Sequence, residues 1–239
     1  DQGERRRDSV PLLLEKSLEQ VGEGSRQALG AVGLLGLVPF EAAWIQAGMA
    51  VEKRAIRKAL GKLFNFEPFR AGRDRERLTR DALGELVKFG LLKRTGRQYE
   101  VSHALVHTYA SGAGKAPPES LERLVDALVN LAYEANQSGL PERFKPLRGH
   151  LRALAERAEE AGLEEAGSLW GNLGYHLHAM AEYAGAKAAY ERALAIDEVA
   201  FGRDHPNVAR DVNNLGLVLK AMGDHAGAKA AYQRALAID

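Results

Sequence analysis

The chain has 239 residues, a formal net charge of +1 at pH 7 and no cysteine. A length of this order fits one or two domains, and the near-neutral charge gives no general argument for nucleic acid or an anionic membrane as a partner. The lack of cysteine excludes disulfides and thiolate metal sites. The longest uncharged stretch, residues 27–40, falls short of the roughly 20 apolar residues that span a bilayer. No signal peptide is visible, so we expect a cytoplasmic protein with no membrane partner.

The first part of the chain is predicted to be helical. We expect a linking helix in residues 1–25 and a compact domain in residues 26–110. Apolar residues at helical spacing predict helices at 9–21, from Glu23 or Ser25 to just before Pro39, and at 40–49, 52–64 and 77–89. The helix at 52–64 has a basic outer face, and we interpret it as an insertion. Glycines at every third position, such as Gly33, indicate that the second helix is buried and packs tightly on a neighbour.

The periodicity changes after Gly90. Residues 91–94 and 98–102 flank Thr95-Gly96-Arg97, a turn sequence with glycine, and together they predict a β-hairpin. Helical spacing then resumes over residues 103–110. Three helices followed by a hairpin is the layout of a winged helix, with residues 77–89 in the position of its third helix.

The last part of the chain repeats itself. Residues 111–118 form a linker by composition, and residues 119–239 are predicted to hold a helical hairpin that caps two repeats. The run 184–197 returns 42 positions later as 226–239, with 13 of 14 residues identical. A fixed period in this range with helical spacing predicts a solenoid of stacked helix pairs. The predicted fold class is therefore mainly α, a winged helix with one β-hairpin followed by an α-solenoid.

The residues at fixed places in each unit resemble the tetratricopeptide repeat. In the first unit they are Trp170, Leu173, Gly174, Leu177, Ala186, Tyr190 and Ala193. The long connection 198–210, with Asn213-Asn214-Leu215-Gly216 after it, resembles the 42-residue subtype of kinesin light chains and many prokaryotic signalling ATPases. This resemblance implies a groove, lined by the first helix of each unit, that holds a peptide or a partner helix.

By position in the unit, eight residues are expected to face this groove: Asn172, Tyr175, His178, Arg210, Asn213, Asn214, Leu217 and Lys220. Asparagine suits such a place because its side chain can both donate to and accept from a peptide backbone. The alternative is that Asn172 and Asn214 only satisfy neighbouring helices.

The order of elements before the linker resembles the winged-helix subdomain of NB-ARC-type signalling ATPases. In that family a Met-His-Asp-like motif follows the hairpin, and its histidine touches the β-phosphate of bound ADP. Ser102-His103-Ala104 lies at this place. The resemblance implies that His103 contacts a nucleotide phosphate in a longer parent protein, which would bind ATP or ADP with Mg²⁺.

We expect no enzyme and no cofactor within these residues. The nearest approach to a phosphate-binding loop, Gly112-Ala113-Gly114-Lys115, follows a helix, and Ala116 stands where a Ser or Thr would hold Mg²⁺. His103 and His107 have the spacing of metal ligands but lack a third ligand, so we expect no metal site. No catalytic set can be placed.

Three functions are consistent with the sequence. The first is the regulatory and sensor part of an intracellular signal-transduction ATPase, in which the repeats bind a protein or peptide trigger and the winged helix relays this to a nucleotide-binding core outside the sequence. The alternatives are a DNA-binding winged-helix regulator with a repeat-based effector domain, and a scaffold without a switch. Acidic residues interleave the arginines of residues 70–97, so specific DNA binding is not expected.

The sequence begins without methionine and stops at the end of a repeat. We therefore expect it to be part of a longer protein. The last repeat carries the apolar pattern of an internal one, which predicts self-association through that face.

Overall fold

The computed structural model describes residues 14, 16–49, 68–112 and 116–238. The chain divides into two compact units, Asp1–Leu124 and Val125–Asp239. The described residues are mainly helical, as predicted, and none of their helices is long and apolar enough to cross a membrane. The predicted boundaries of the linking helix and of the linker at 111–118 stay predictions.

The first unit contains helices and a small sheet. In chain order these are α1 Glu23–Leu34, β1 Phe40–Glu41, α2 Ala42–Gly48, α3 Pro68–Lys88, β2 Leu92–Thr95, β3 Gln98–Val101, α4 Ala104–Ala110 and the start of α5 Pro118–Gln137. Residues 16–20 are also helical, and Leu18 and Val21 are buried as the amphipathic pattern predicts.

The three strands form an antiparallel sheet in the order β1-β3-β2. The predicted hairpin is present as β2 and β3, with Leu92 opposite Val101. The prediction of a helix from residue 40 is wrong at its start, because Phe40 pairs with Tyr99 in β1 and the helix begins only at Ala42. The Phe40 ring is buried and stacks on the ring of Tyr99, with the two ring centres 6.1 Å apart. A strand of two residues is too short to produce a periodicity that the sequence could reveal.

Helix α3 is longer than predicted. The sequence indicated irregular structure up to residue 74, but the helix already includes Pro68. Proline is tolerated in the first turn of a helix, where its missing N–H is not needed. Gly72 costs a helix only about 1 kcal/mol relative to alanine, so neither residue prevents helix formation.

Helix α1 lies at the centre of the first unit and packs against α2, α3 and α4. Gly33 is buried, and an added Cβ atom there would come within 2.3 Å of the carbonyl group of Ala110 in α4. The close packing predicted from the glycines of α1 is thus confirmed. The described elements follow the predicted order, the basic helix at 52–64 lies outside the described residues, and the winged-helix assignment stays a prediction.

The second unit continues with helices alone. After the remainder of α5 these are α6 Pro141–Glu160, α7 Glu165–Ala179, α8 Tyr183–Phe201, α9 Pro206–Ala221 and α10 His225–Ile238. From α6 onward each helix packs against the next. The turns inside the two repeats are equivalent, since Ala181 and Gly223 both have a positive φ, 58° and 85°. The predicted helical-repeat solenoid is therefore present.

Candidate functional site

A cleft in the second unit runs across the faces of three helices, α5, α7 and α9. Its volume is about 260 Å³. The lining residues are Val129, Asn130, Tyr133, Asn136, Gln137, Ser168, Gly171, Asn172, Tyr175, Arg210 and Asn214. In each repeat the first helix contributes to this lining, which is the arrangement the repeat pattern predicts.

Four of the eight predicted groove residues lie in this cleft: Asn172, Tyr175, Arg210 and Asn214. The other four lie elsewhere. Asn213 lines a separate depression against Tyr232 of α10, and the His178 ring lies 5.7 Å from that of Tyr183. Leu217 and Lys220 are exposed on α9 outside the cleft lining.

The contribution of α5 to the cleft was not predicted from the sequence. Tyr133 and Asn136 belong to a helix that lacks the repeat signature, so a search at a period of 42 does not find them. Asn136 precedes Asn172 by 36 positions, whereas Asn172 precedes Asn214 by 42. The signal in the sequence for Asn136 as a cleft residue was its spacing from Asn172, which is slightly shorter than the repeat period.

Two of the three cleft asparagines are joined by hydrogen bonds. The Asn136 amide nitrogen donates to the backbone oxygen of Asn172 at 3.1 Å and to its side-chain oxygen at 3.0 Å. The Asn172 amide nitrogen donates in turn to the backbone oxygen of Ser168 at 2.9 Å. Asn214 is half-buried and makes no side-chain hydrogen bond to another described residue. The two predicted asparagines therefore differ: Asn172 is satisfied by Asn136 of α5 and by Ser168 of its own helix, while Asn214 is available to a partner.

Arg210 is the charged residue among those that line the cleft. Its Nη2 lies 3.4 Å from Asp197 Oδ2, and its Nε lies 3.2 Å from Asp211 Oδ1. Half of the arginine side chain is exposed, whereas the two carboxyl groups are buried at 2% and 0% exposure. One edge of the guanidinium group is thus fixed by buried acids while the rest of the side chain faces the cleft.

The two acids are electrostatically unusual. Burial raises the pKa of Asp211 to about 7, with the charge of Asp197 adding to this and Arg210 opposing it. Burial also raises the pKa of Asp197, and hydrogen bonding from Asp211 and the charge of Arg210 work in the opposite direction. Burial thus favours the protonated form of each acid, and the charge of Arg210 opposes this.

Neither acid was identified from the sequence, although each left a signal. Asp197 ends the repeated run, and the same residue recurs at position 239. Asp211 interrupts the buried face of α9 between Val208 and Val212. A carboxyl group at such a position is rarely left buried unless another group pairs with it.

His103 caps the N-terminus of α4. Its Nδ1 accepts the backbone N–H of Leu105 at 3.1 Å, and the residue is exposed. Its contact with a nucleotide phosphate stays a prediction. His107, the other histidine of the pair, has a structural role, since its Nε2 donates to the backbone oxygen of Leu35 at 2.8 Å. Within the described residues, no group of three or more His, Asp or Glu side chains could hold a metal ion.

The basic residues of the first unit are interleaved with acids. Arg80 pairs with Glu76 at 2.6 Å. Arg94 in the hairpin donates to the backbone oxygen of Gly96 at 3.0 Å and lies 5.5 Å from the centre of the Tyr99 ring. Several cations on this surface thus already have partners within the chain, which disfavours a specific DNA interface.

In the last four helices, α7 to α10, helix pairs are joined by equivalent turns, and a glycine of each first helix packs against a tyrosine of the second. These features are those of tetratricopeptide-type repeats. In agreement, residues 165–239 match the tetratricopeptide repeat family. Repeats of this family typically act as protein-interaction modules rather than as enzymes.

Among solved structures, the chain is similar to the crystal structure of BtubC (BKLC) from P. vanneervenii, at 22% sequence identity and a TM-score of 0.43. This match covers 77% of the present chain and 69% of the other. No curated protein matches the sequence. The family match concerns the repeats, and the NB-ARC resemblance of the first unit stays a prediction.

Proposed function

We propose that the second unit binds an extended segment of a partner protein in the cleft between α5, α7 and α9. The observation that carries this proposal is the open amide of Asn214 beside the half-exposed Arg210, on a surface formed by successive repeats. Tyr133 and Tyr175 flank these groups and are 58% and 51% exposed. Tyrosine and arginine are enriched where proteins bind one another.

The chemistry of the cleft fits a peptide backbone. An extended segment presents N–H and C=O groups in alternation, and the side chain of Asn214 can pair with both kinds. The exposed tyrosine rings can bury apolar side chains of the segment and still offer a hydroxyl group. Arg210 can donate to a carboxylate of the segment with its remaining N–H groups.

A comparison of adjacent asparagines tests this proposal. A phage library of random extended peptides would be selected on the immobilised chain, and the recovered peptides would be assayed on two variants. Asn214→Ala should weaken binding about tenfold, because one hydrogen-bond partner of a desolvated group is worth about 1–3 kcal/mol. Asn213→Ala is the matched control, since that side chain lies outside the cleft. Equal losses in both variants, or none in either, would refute this location.

We further propose that the cleft is the sensor of a signal-transduction ATPase located in the cytoplasm. In this proposal the first unit relays occupancy of the cleft to a nucleotide-binding core, where His103 contacts a phosphate of ATP or ADP bound with Mg²⁺. The support is the sequence resemblance together with the exposed position of His103 directly after the hairpin. ADP affinity of the parent protein should fall several-fold in His103→Ala but not in Thr108→Ala, an exposed control on the same helix. Unchanged ADP affinity in His103→Ala would refute the relay.

The alternative of DNA binding rests on the exposed basic residues of the hairpin, Lys93, Arg94 and Arg97. We expect any such binding to be non-specific, with dissociation constants of about 10⁻⁴ to 10⁻⁶ M that rise steeply with salt. Selection of a DNA sequence bound at nanomolar strength in physiological salt would favour the transcriptional regulator instead.

A further inference from the structure

We propose that Asp197 and Asp211 share one proton, and that this proton sets the charge of the cleft wall at Arg210, so that the cleft binds an acidic segment more tightly when the pair is protonated. The coupling to a ligand rests on the proposed function of the cleft. The shared proton itself does not.

The geometry of Arg210 brings the two carboxyl groups together. Its Nε and Nη2 are neighbouring donors on one edge of the guanidinium group, which ordinarily binds the two oxygens of a single carboxylate. Here that edge takes one oxygen from Asp197 and one from Asp211, at 3.4 and 3.2 Å. The two carboxyl groups therefore share the edge that a single carboxylate normally binds, and they lie side by side.

A single arginine neutralises a single negative charge. The second oxygen of Asp211 is buried and has no hydrogen-bond partner among the described residues. Two buried carboxylates in contact cannot both ionise without a large free-energy cost, so one of them retains a proton. Burial raises the pKa of Asp211 to about 7, and the charge of Asp197 adds to this.

The backbone of α7 limits how far Asp197 can move away from Asp211. Gly167 of α7 is buried against Asp197, and an added Cβ atom there would lie 2.0 Å from Asp197 Oδ1. Asp197 therefore has no room to move away from Asp211 towards α7. Arg210 holds an oxygen of each acid on one edge of its guanidinium group, so a shared proton relieves the repulsion between the acids without separating them.

Other titratable groups also face the pair. Around Asp197 they are Arg210, His205 and Glu164. Burial raises the pKa of the Tyr190 hydroxyl, the charges of Asp211 and Tyr175 raise it further, and Arg210 opposes them. Of these groups His205 is the histidine, so the test includes a variant that lacks it. Asparagine can keep the helix-capping role that His205 has at the start of α9.

The charge at the cleft wall follows from this arrangement. With one proton on the pair, the single carboxylate and Arg210 sum to zero. With the proton lost, the same three groups carry a net charge of −1 and repel an acidic ligand. A unit charge at several ångströms in a partly hydrated site changes affinity by roughly three- to tenfold.

The test uses the full chain, isotope-labelled on its aspartate side chains, and two probes. One probe is a short acetylated and amidated peptide of alternating glycine and glutamate, and the other has glutamine in place of glutamate. Binding to the cleft is followed by NMR at about pH 6 and about pH 8, on either side of the expected titration. Asp211→Asn keeps the shape of the group but cannot ionise, and His205→Asn removes the neighbouring histidine.

We expect the Asp211 carboxyl carbon to titrate near neutral pH in the free protein. The glutamate probe should bind three- to tenfold more weakly at the higher pH in the parent chain and in His205→Asn, but equally at both pH values in Asp211→Asn. The glutamine probe should show no such change. Circular dichroism of each variant would confirm that it is folded.

The opposing outcomes are separable. If both carboxyl carbons titrate in the ordinary range of aspartate, the shared proton is refuted whatever the probes do. If the glutamate probe binds in the cleft without any dependence on pH, the coupling is refuted and the proposed function stands. If neither probe perturbs the cleft while Asp211 titrates near neutral pH, the coupling and the proposed peptide site fail together and only the shared proton remains.

Discussion

The ring of Tyr232 packs so closely on Gly216 that an added Cβ atom would lie 2.7 Å from the ring carbon Cε1. In the preceding repeat Tyr190 packs on Gly174 in the same way, and the corresponding separation is 3.0 Å. Both rings thus occupy space that any larger residue in the first helix would take. This contact fixes how closely the two helices of a unit approach.

Gly216→Ala should therefore destabilise the second unit by about 1–3 kcal/mol, because overpacking forces the ring or the helix to move. Gly171→Ala is the matched control. That glycine also lies inside a first helix but has no neighbour within 4 Å of an added Cβ atom, so alanine there should be neutral or stabilising by up to about 1 kcal/mol. Urea unfolding of both variants measures the difference, and equal stabilities would show that the ring does not limit the contact.

The glycine and tyrosine positions were predictable because the repeat displays them twice at one spacing. The same repetition predicted the helices, their turns and part of the cleft. Asp211 was not predictable in this way, since its equivalent in the preceding unit is Leu169 and the repeat does not mark it. Strand β1 was missed for a different reason. Pairing of Phe40 with Tyr99 joins residues far apart in the chain, and local periodicity carries no information about such partners.

The two cleft asparagines should respond differently to truncation. Asn172→Ala removes a donor to Ser168 and an acceptor for Asn136, so it should lower the free energy of unfolding by about 0.5–1.5 kcal/mol. Asn214→Ala removes no hydrogen bond to a described residue and should change stability by less than about 0.5 kcal/mol. Thermal unfolding of the two variants distinguishes them. A large loss of stability in Asn214→Ala would assign that residue to structure rather than to binding.

Asp211 should make the second unit less stable as the pH rises. Its folded pKa, about 7, lies above the ordinary value of 3.8, so the folded state holds more protons than the unfolded state between these values. The stabilisation is fully present below about pH 4 and is lost as the pH rises towards 7. Asp211→Asn should remove this loss and be more stable than the parent by about 1–3 kcal/mol at pH 8, with little difference at pH 4. Urea unfolding at several pH values measures the free energy of unfolding of both proteins. If the parent chain gained stability relative to Asp211→Asn between about pH 4 and pH 8, the prediction would be wrong.

His176 should produce the opposite dependence. Its ring is buried and stacks on the ring of Phe144, with the two ring centres 4.3 Å apart. Its Nε2 has no hydrogen-bond partner among the described residues. Burial is the main cause that lowers the pKa of His176 below 6.5; Arg148 and Lys145 add to the shift, while Glu182 opposes it. As the pH falls, the unfolded state therefore binds a proton at His176 before the folded state does. The stability that the neutral, buried ring provides is present above about pH 6.5 and is lost as the pH falls through the pKa of the folded state.

His176→Phe retains an aromatic ring against Phe144 but cannot take a proton. The difference in stability between the parent and this variant should shift in favour of the variant below pH 6.5, by no more than about 1.4 kcal/mol for each pH unit. His178→Phe is the control, because that histidine is only half-buried. Unfolding at fixed pH between about 4 and 7 separates the two variants. If the stability of His176→Phe runs parallel to that of the parent throughout this range, His176 is not held neutral by its burial.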